Sequence, residues 1–590
     1  MRVRRPTTPT IMVAVVAVAL AAPCLWAIFL RHTFAVGDVA LIELRTRDVF
    51  TAHPPLVGAY SRYGWSHPGP LEFYLFAIPY RLFGGSFAAL RATTLLFNVA
   101  MLAVVAWVAR RRGVTALGLL MAGAAALVWG LNANAMSDSW NVTVAVLPFL
   151  LTIVACWCAC CGDRWAWLVA ALAFSFVFQA HIGFGVVLAP LVLATAAWLS
   201  VRARRDAPAF TLGDIAVGIG AALGVALPAL IDVVVHWPGN LDRLLSWSFD
   251  NDEPTIGLSQ SLHLLGRSTS LSFPLHPAFP NQFVFSIGTV DTGLLPGALL
   301  LVLVAATVFA VRRRLVAEAS LCACLVVAWI SGLVAACRVT QPLAFWLVEW
   351  LEPLAWLTWG AVLLVAWRLL QPALGRFSAV RLRQAGGFIA VVGLAAGTVG
   401  YAHKSVSADE HDTTATPITT FVAAAAHLDR SQRVHIDYGG DPFSAGTIFL
   451  AVANELNKTG FDLCVDAAYA HQFGDARVCS GRSDMALFIR NEPTALAAPD
   501  NSVVLAVSDP LSPAQRQEAD ELTARLDVVL QQNDLSDDEP LLYTQLVGLV
   551  LDHLPPAEAA AVKADVVRLG ELRSVPGTRL GFYVIGTIQD

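Results

Sequence analysis

Eleven separate apolar runs, each near the length that crosses a bilayer, leave this chain little choice of fold. A helix of about 20 apolar residues spans the hydrocarbon layer, and within that layer every backbone N–H and C=O has to be satisfied inside the segment. Such runs occupy 11–30, 87–109, 114–132, 142–161, 165–181, 184–200, 212–234, 293–311, 316–336, 346–367 and 386–402. The run at 165–181 is short and polar at its end, which makes it the weakest of the set. Hydrophobic residues fill 56% of the 590 positions and charged residues only 14%, a balance that excludes an ordinary soluble protein. No basic face of the kind that binds nucleic acid is present.

Arginines orient the spans. Arg2, Arg4 and Arg5 precede the first run. Further clusters lie at 110–112, 202–205 and 312–314, with Arg368, Arg376, Arg381 and Arg383 after the tenth. Counted through eleven spans, all of these fall on one side, which the positive-inside rule makes cytoplasmic. The first run is too long for a signal-peptide core and Pro23 precedes Cys24, so it reads as an uncleaved helix. The expected location is therefore the plasma membrane, multi-pass, with a cytoplasmic N-terminus. Long outer loops are expected at 31–86 and 235–292.

At 403 the composition turns polar. The division predicted is a transmembrane domain over 1–402 and an extracytoplasmic soluble domain over 403–590. Helices are expected at 417–430, 442–457, 511–531, 538–552 and 556–569. Strands are expected in "RVHIDY", "DMALFIR", "SVVLAV" and "GFYVIGTI". Alternating strands and helices make this an α/β domain. Eight cysteines sit in or beside apolar runs as small hydrophobes, whereas Cys464 and Cys479 lie in the polar part, where an oxidising exterior favours a disulfide. The glycines of "YGGDPFSAGT" lack dinucleotide-loop spacing and a P-loop lysine, and read as a strand-to-helix turn.

The chemistry concentrates in the outer loops. In "GDVALIELRTRDVFTAHPP", Asp38 stands just past the first span. As a helix, Glu43–Arg47 and Arg45–Asp48 have pairing distances and would form a charge ladder along the membrane surface. "YSRYGWSHPGPLEFYLFAIPY" follows, with Arg62, Tyr63, His67 and Glu72. Tyr74 and Tyr80 suit an interfacial aromatic belt. Carboxylates beside hydrocarbon are costly and tend to be functional. "NANAMSDSWN" adds Asp138 and Asn141, "QAHIGFG" adds Gln179 and His181, and "CRVTQPLAFW" adds Arg338. His181 has no companion spacing of a metal site. "FDNDEP" lacks the glycine and terminal glutamate of a calcium loop and reads as a solvated turn; the rest of its loop suits amphipathic surface helices.

A carboxylate after the first helix, a long first outer loop with the "HPP"-like "SHPGPLEFY", and an outer domain after about eleven spans resemble the GT-C glycosyltransferases, in particular the bacterial mannosyl-, aminoarabinosyl- and arabinofuranosyl-transferases. The resemblance implies a polyprenyl-phosphate-linked sugar donor and an inverting displacement. It also implies a cell-envelope glycan, glycolipid or protein as acceptor, and Asp38 as the base. Many members carry adjacent acidic residues, whereas Val39 follows Asp38 here, so the base stays open between Asp38, Glu43 and Glu72. Arg62 and His67 are the first candidates to meet the leaving phosphate, with Arg338 another. Tyr63, Asp138, Asn141 and His181 complete the substrate-binding set. No cofactor is called for, and nothing supports a divalent cation. A transporter is the rival reading and calls for inverted repeats and broken helices. A glycan polymerase or ligase is a nearer alternative, and a ligand-recognising receptor or scaffold a third.

Overall fold

A computed structural model describes residues 25–26, 28–29, 33–131, 134–205, 210–275, 291–341, 343–374, 414–440, 442–481, 483, 485–491, 498–544, 547–574 and 578–586. Most of the run at 11–30 and all of that at 386–402 lie outside them. In chain order the helices are α1 (Gly37–Asp48), α2 (Leu71–Leu82), α3 (Phe87–Ala109), α4 (Val114–Gly130), α5 (Asn141–Cys160), α6 (Arg164–Ala180) and α7 (Ile182–Arg205). Next come α8 (Leu212–Val225), α9 (Leu227–Val235), α10 (Gly239–Asp250), α11 (Gly257–Ser268), α12 (Ala298–Arg312), α13 (Val316–Cys337) and α14 (Leu351–Leu374). The polar part holds α15 (Ala415–Ala425), α16 (Thr447–Lys458), α17 (Pro513–Gln532) and α18 (Pro556–Arg573), with strands β1 (Arg433–Gly439), β2 (Asp462–Cys464), β3 (Met485–Asn491), β4 (Val503–Ser508) and β5 (Leu580–Ile585).

Two compact units result. Unit 1 takes Met1–Arg31 and Leu56–Glu410, and unit 2 takes His32–Pro55 and His411–Asp590. Residues 32–55, expected with the membrane part, thus pack with the C-terminal part, because α1 lies on α16.

In unit 1 each described apolar run is helical. Among the described residues five helices are long and apolar enough to cross a membrane, or six if α8 and α9 form one bent span. The weak run at 165–181 is the 17-residue α6, and the run at 293–311 is helical only over the 15 residues of α12. The run expected at 346–367 becomes α-helix at Leu351, after a 3₁₀ turn at Phe345–Leu347. The multi-pass membrane character is plain. α5 is the axis: its apolar window is entirely buried, and it packs on α3, α6, α7, α13 and α14. A helix apolar all round has to be enclosed or face lipid. Two indole N–H groups of this core find acceptors: Trp157 donates to Ala317 O (2.7 Å) and Trp329 to Thr358 Oγ1 (2.9 Å).

α8 and α9 meet at 61°. Pro228, in the first turn of α9, cannot donate the N–H that would continue α8. A broken span is one feature of transporter folds. Here, however, α9 leaves Leu227, Leu230, Ile231, Val234 and Val235 exposed, the surface of a lipid-facing segment. The loop after it forms the expected surface helices, α10 and α11.

Unit 2 is an α/β domain with strand order β2-β1-β3-β5-β4. β1 runs parallel to β2 and β3, while β5 is antiparallel to β3 and β4. α16 makes the β1–β2 crossover. The helix expected at 538–552 is instead 3₁₀ turns at Ser536–Tyr543 and Val547–Leu549 with one α-turn at Val550–His553; Pro540 falls inside it and removes a donor. Its apolar residues still serve, with Leu542, Val547 and Val550 joining Leu526, Leu530 and Leu569 of α17 and α18 in one cluster. β2, not expected from the sequence, is three residues long, and its Cys464 is bridged to Cys479.

Candidate functional site

The loop ahead of α2 builds the centre of unit 1. Residues 58–67 turn back as a tight hairpin in which Tyr60 pairs with Ser66. Gly58 N–H donates to His67 O (2.9 Å), His67 N–H to Ala59 O (2.8 Å) and Ser61 N–H to Trp65 O (2.8 Å). At the tip Gly64 has φ +81°, a region open to glycine at little cost. Asn240 of α10 clamps the hairpin: its Oδ1 accepts from Ser66 N–H (2.7 Å) and its Nδ2 donates to Ser66 O (2.8 Å). Asn240 carried no signal in the sequence, since a lone asparagine in an apolar loop shows its partner only when folded.

The outer end of the hairpin is cationic and aromatic. Arg62 is exposed; its Nη2 donates to Tyr63 Oη (2.5 Å) and its Cζ lies 4.8 Å from that ring's centroid. The Tyr63 hydroxyl also meets Thr340 Oγ1, and its ring lies 4.4 Å from Trp247. Arg338, two residues before Thr340, donates to Ser248 O (2.6 Å) at the end of α10. Arg62 and Arg338 thus border one Tyr63–Trp247 slab, although the chain separates them widely.

The inner end is buried and imidazole-rich. Trp65 stands edge-on to His67 (5.3 Å), and the His67 and His181 rings are 4.6 Å apart. His67 Nδ1 accepts from Ile182 N–H (3.3 Å), so the neutral ring carries its proton on Nε2. Burial drives the His67 imidazole well below its ordinary range, and His181 adds to the shift. Among the described residues His181 Nδ1 has no hydrogen-bond partner. Gly69 N–H donates to Gln179 O (3.4 Å). A Cβ at 69 would come within 2.3 Å of Gln179 Oε1, so this approach requires glycine.

Carboxyl groups complete the cluster. Glu72, in the first turn of α2, is 3% exposed, and its Oε1 is buried without a hydrogen-bond partner among the described residues. Asp138 accepts from Trp140 N–H (3.0 Å) and Thr143 Oγ1 (3.0 Å), closing the turn into α5. Glu349 lies in the turn ahead of α14 and is 6% exposed. Burial raises both glutamates and the charge of Asp138 adds to it; Glu72 is held well above the usual range and Glu349 is pushed up to about 8. Burial and the Asp138 charge thus both favour the protonated form of these two carboxyls. Glu349 escaped the sequence reading because "VEWLEP" sits inside an apparent span, although an acid there is itself a functional signal.

Other candidates are structural in their contacts. Asn141 Nδ2 donates to Ala180 O (2.9 Å), satisfying a carbonyl at the end of α6. Tyr80 is 1% exposed, with its hydroxyl on Gly85 O (2.6 Å), so it is core rather than interfacial belt. Tyr74 is half-buried.

Asp38 and Glu43 belong to unit 2. The expected charge ladder is real in part, with Arg45 on Asp48 (2.9 Å), but it faces α16 and its surroundings. Glu43 is 0% exposed; Lys458 Nζ reaches its Oε1 (2.7 Å) and Asn454 Nδ2 its Oε2 (2.7 Å). Asp48 takes a two-pronged contact from Arg477 (2.7 and 2.7 Å). Arg47 donates to Asn457 Oδ1 (2.9 Å). Asp38 is half-buried in the first turn of α1. Among the described residues no group of three His, Cys, Asp or Glu is placed to hold a metal ion.

A polytopic helical part with a C-terminal α/β unit is the architecture that the resemblance to GT-C glycosyltransferases implied. No family model and no curated protein matches the chain. Solved structures share the fold. ArnT from Cupriavidus metallidurans bound to undecaprenyl phosphate aligns with TM-score 0.53 at 13% identity, over 84% of this chain and 96% of that one. The apo state of ArnT aligns with TM-score 0.52, also at 13% identity, over 84% and 95%. The chain thus shares the fold of these ArnT structures.

Proposed function

We propose that this chain is a membrane glycosyltransferase that moves a sugar from a polyprenyl-phosphate donor to a cell-envelope glycan, glycolipid or protein acceptor on the outer face. The observation that carries this reading is the 58–67 hairpin. One end sets Arg62 on Tyr63, whose hydroxyl meets Thr340 near Arg338 in the chain, and the other sets His67 and His181 among buried polar groups. ArnT, with the same fold, was solved with undecaprenyl phosphate.

The chemistry asks for these groups. The acceptor oxygen attacks the anomeric carbon as the bond from that carbon to the phosphate oxygen breaks. The phosphate leaves with the electron pair, and Arg62 and Arg338 receive its charge. A carboxylate takes the acceptor proton. Of the three carboxylates considered, Glu43 is locked to Lys458 and Asn454, and burial together with the Asp138 charge favours the protonated form of Glu72. The resemblance to GT-C glycosyltransferases points to Asp38 as that base. Carboxyls whose protonated form is favoured by burial, as for Glu72 and Glu349, are suited to donate hydrogen bonds to sugar hydroxyls.

Purified protein in nanodiscs, offered a panel of polyprenyl-phosphate sugars and envelope-derived acceptors, tests the reading. Transfer of one sugar is expected, and Asp38→Asn should lower it roughly 10²–10⁴-fold with normal insertion. Full activity in that variant would remove Asp38 as base; inertness toward every donor in the panel would remove the function.

A further inference from the structure

A second polar site lies where α3, α5, α6 and α7 end or begin, in the part of unit 1 that carries the Arg110–Arg112 turn. An open pocket of about 410 Å³ lies there, lined by Arg111, Arg112, Cys161, Gly162, Asp163, Arg164 and Trp165. Three of these residues are cations and one is an acid. The acid is already committed: Asp163 Oδ1 receives Arg111 Nη1 (2.6 Å) and caps α6 through Trp165 N–H (3.1 Å). The Nε of Arg112 is buried without a hydrogen-bond partner among the described residues. Arg164 rests on the Trp165 ring (5.5 Å). Arg202 borders the same turn, with its Nη1 on Cys160 O (3.0 Å).

The buried Arg112 Nε–H without an acceptor is costly, and an anion entering the pocket beside three guanidinium groups would satisfy it. The rim says which kind. Trp165 is 49% exposed and Val114 is 74% exposed, so apolar surface that suits acyl chains flanks a basic pocket that suits a phosphate. We propose that this pocket binds the phosphodiester headgroup of an anionic phospholipid, with Arg112 and Arg164 as its principal contacts and the tails lying against Trp165 and Val114. Basic pockets between helix ends, on the side where arginines cluster, recognise such headgroups. The proposal is independent of sugar transfer.

The experiment is lipid retention by the full-length protein. The protein is delipidated, placed in nanodiscs of phosphatidylcholine with phosphatidylglycerol or cardiolipin, and read by native mass spectrometry. Preferential retention of the anionic lipid is expected. The double variant Arg112→Gln/Arg164→Gln should weaken retention roughly 10- to 30-fold. Arg313→Gln, in the equally basic turn at 312–314, should leave it unchanged. Should the double variant fail to fold, Arg164→Gln alone, which removes only a stacked surface cation, still has to lower retention several-fold. Equal retention of neutral and anionic lipids would overturn the proposal, as would an equal loss in Arg313→Gln. Displacement of the lipid by millimolar inorganic phosphate would also overturn it, marking a site for the free anion.

Discussion

The first outer loop divides its charges between two units, and the two halves handle burial in opposite ways. In unit 2, Glu43 and Asp48 are enclosed but saturated, by Lys458 and Asn454 in one case and by Arg45 and Arg477 in the other. In unit 1, Glu72 is enclosed to a similar degree, yet among the described residues its Oε1 has no hydrogen-bond partner, and the charge that acts on it, Asp138, has the wrong sign. Saturated charges position an element, and here they fasten α1 to α16. A buried acid without a partner raises the energy of the folded state and is retained where something else needs it. Residue type alone would have put Glu43 and Glu72 in one class.

The comparison can be broken by substitution. The largest effect is expected from Lys458→Met, which takes the ammonium partner away from the buried Glu43. Unit 2 should lose about 3–5 kcal/mol, measured as protease sensitivity of the full-length protein against denaturant. A change below ~1 kcal/mol would show that this pair does not hold α1. Glu72→Gln should do the reverse. Glutamine resembles the neutral carboxyl, so stability should stay within about 1 kcal/mol, while sugar transfer falls roughly 100-fold. Unchanged transfer with lower stability would place Glu72 with Glu43.

Reducing Cys464–Cys479 sharpens the contrast from another side. The bridge closes a separation of 15 residues, and losing it should destabilise unit 2 by about 3 kcal/mol, seen as a lower melting temperature with reductant. The smallest effect concerns pH. Glu349 titrates near 8 when folded, against an ordinary value of 4.5. The folded form therefore holds a proton that the unfolded form releases between those values. This contribution to stability is present at low pH and lost as pH rises through that window. Glu349→Gln should flatten the fall in apparent melting temperature between pH 5 and 8, and remove a decline in transfer above pH 8. A wild-type profile flat over that range would contradict the buried, raised Glu349.

Much of the architecture was legible. The long apolar helices follow from hydropathy because a bilayer imposes a fixed length, whereas the run at 165–181 is helical but, at 17 residues, shorter than the spanning helices. The α/β alternation, β1, β3, β4 and β5 were readable from apolar runs. The 3₁₀ turns around Pro540 were not, because the apolar pattern there is still satisfied. Of the site, Arg62, His67, Glu72, Asp138, His181 and Arg338 were visible as costly residues near a membrane edge. Asn240, Trp247 and Glu349 were not, since their meaning lies in what faces them.

By itself the sequence determined that this is a multi-pass helical membrane protein with a polar α/β unit, since hydrocarbon tolerates few alternatives to long apolar helices. Only the tertiary structure decided which loop charges are fasteners and which are left wanting a partner. A charge gains its role from the groups around it and the water excluded from it. Neither is written in the spacing of residues along one chain.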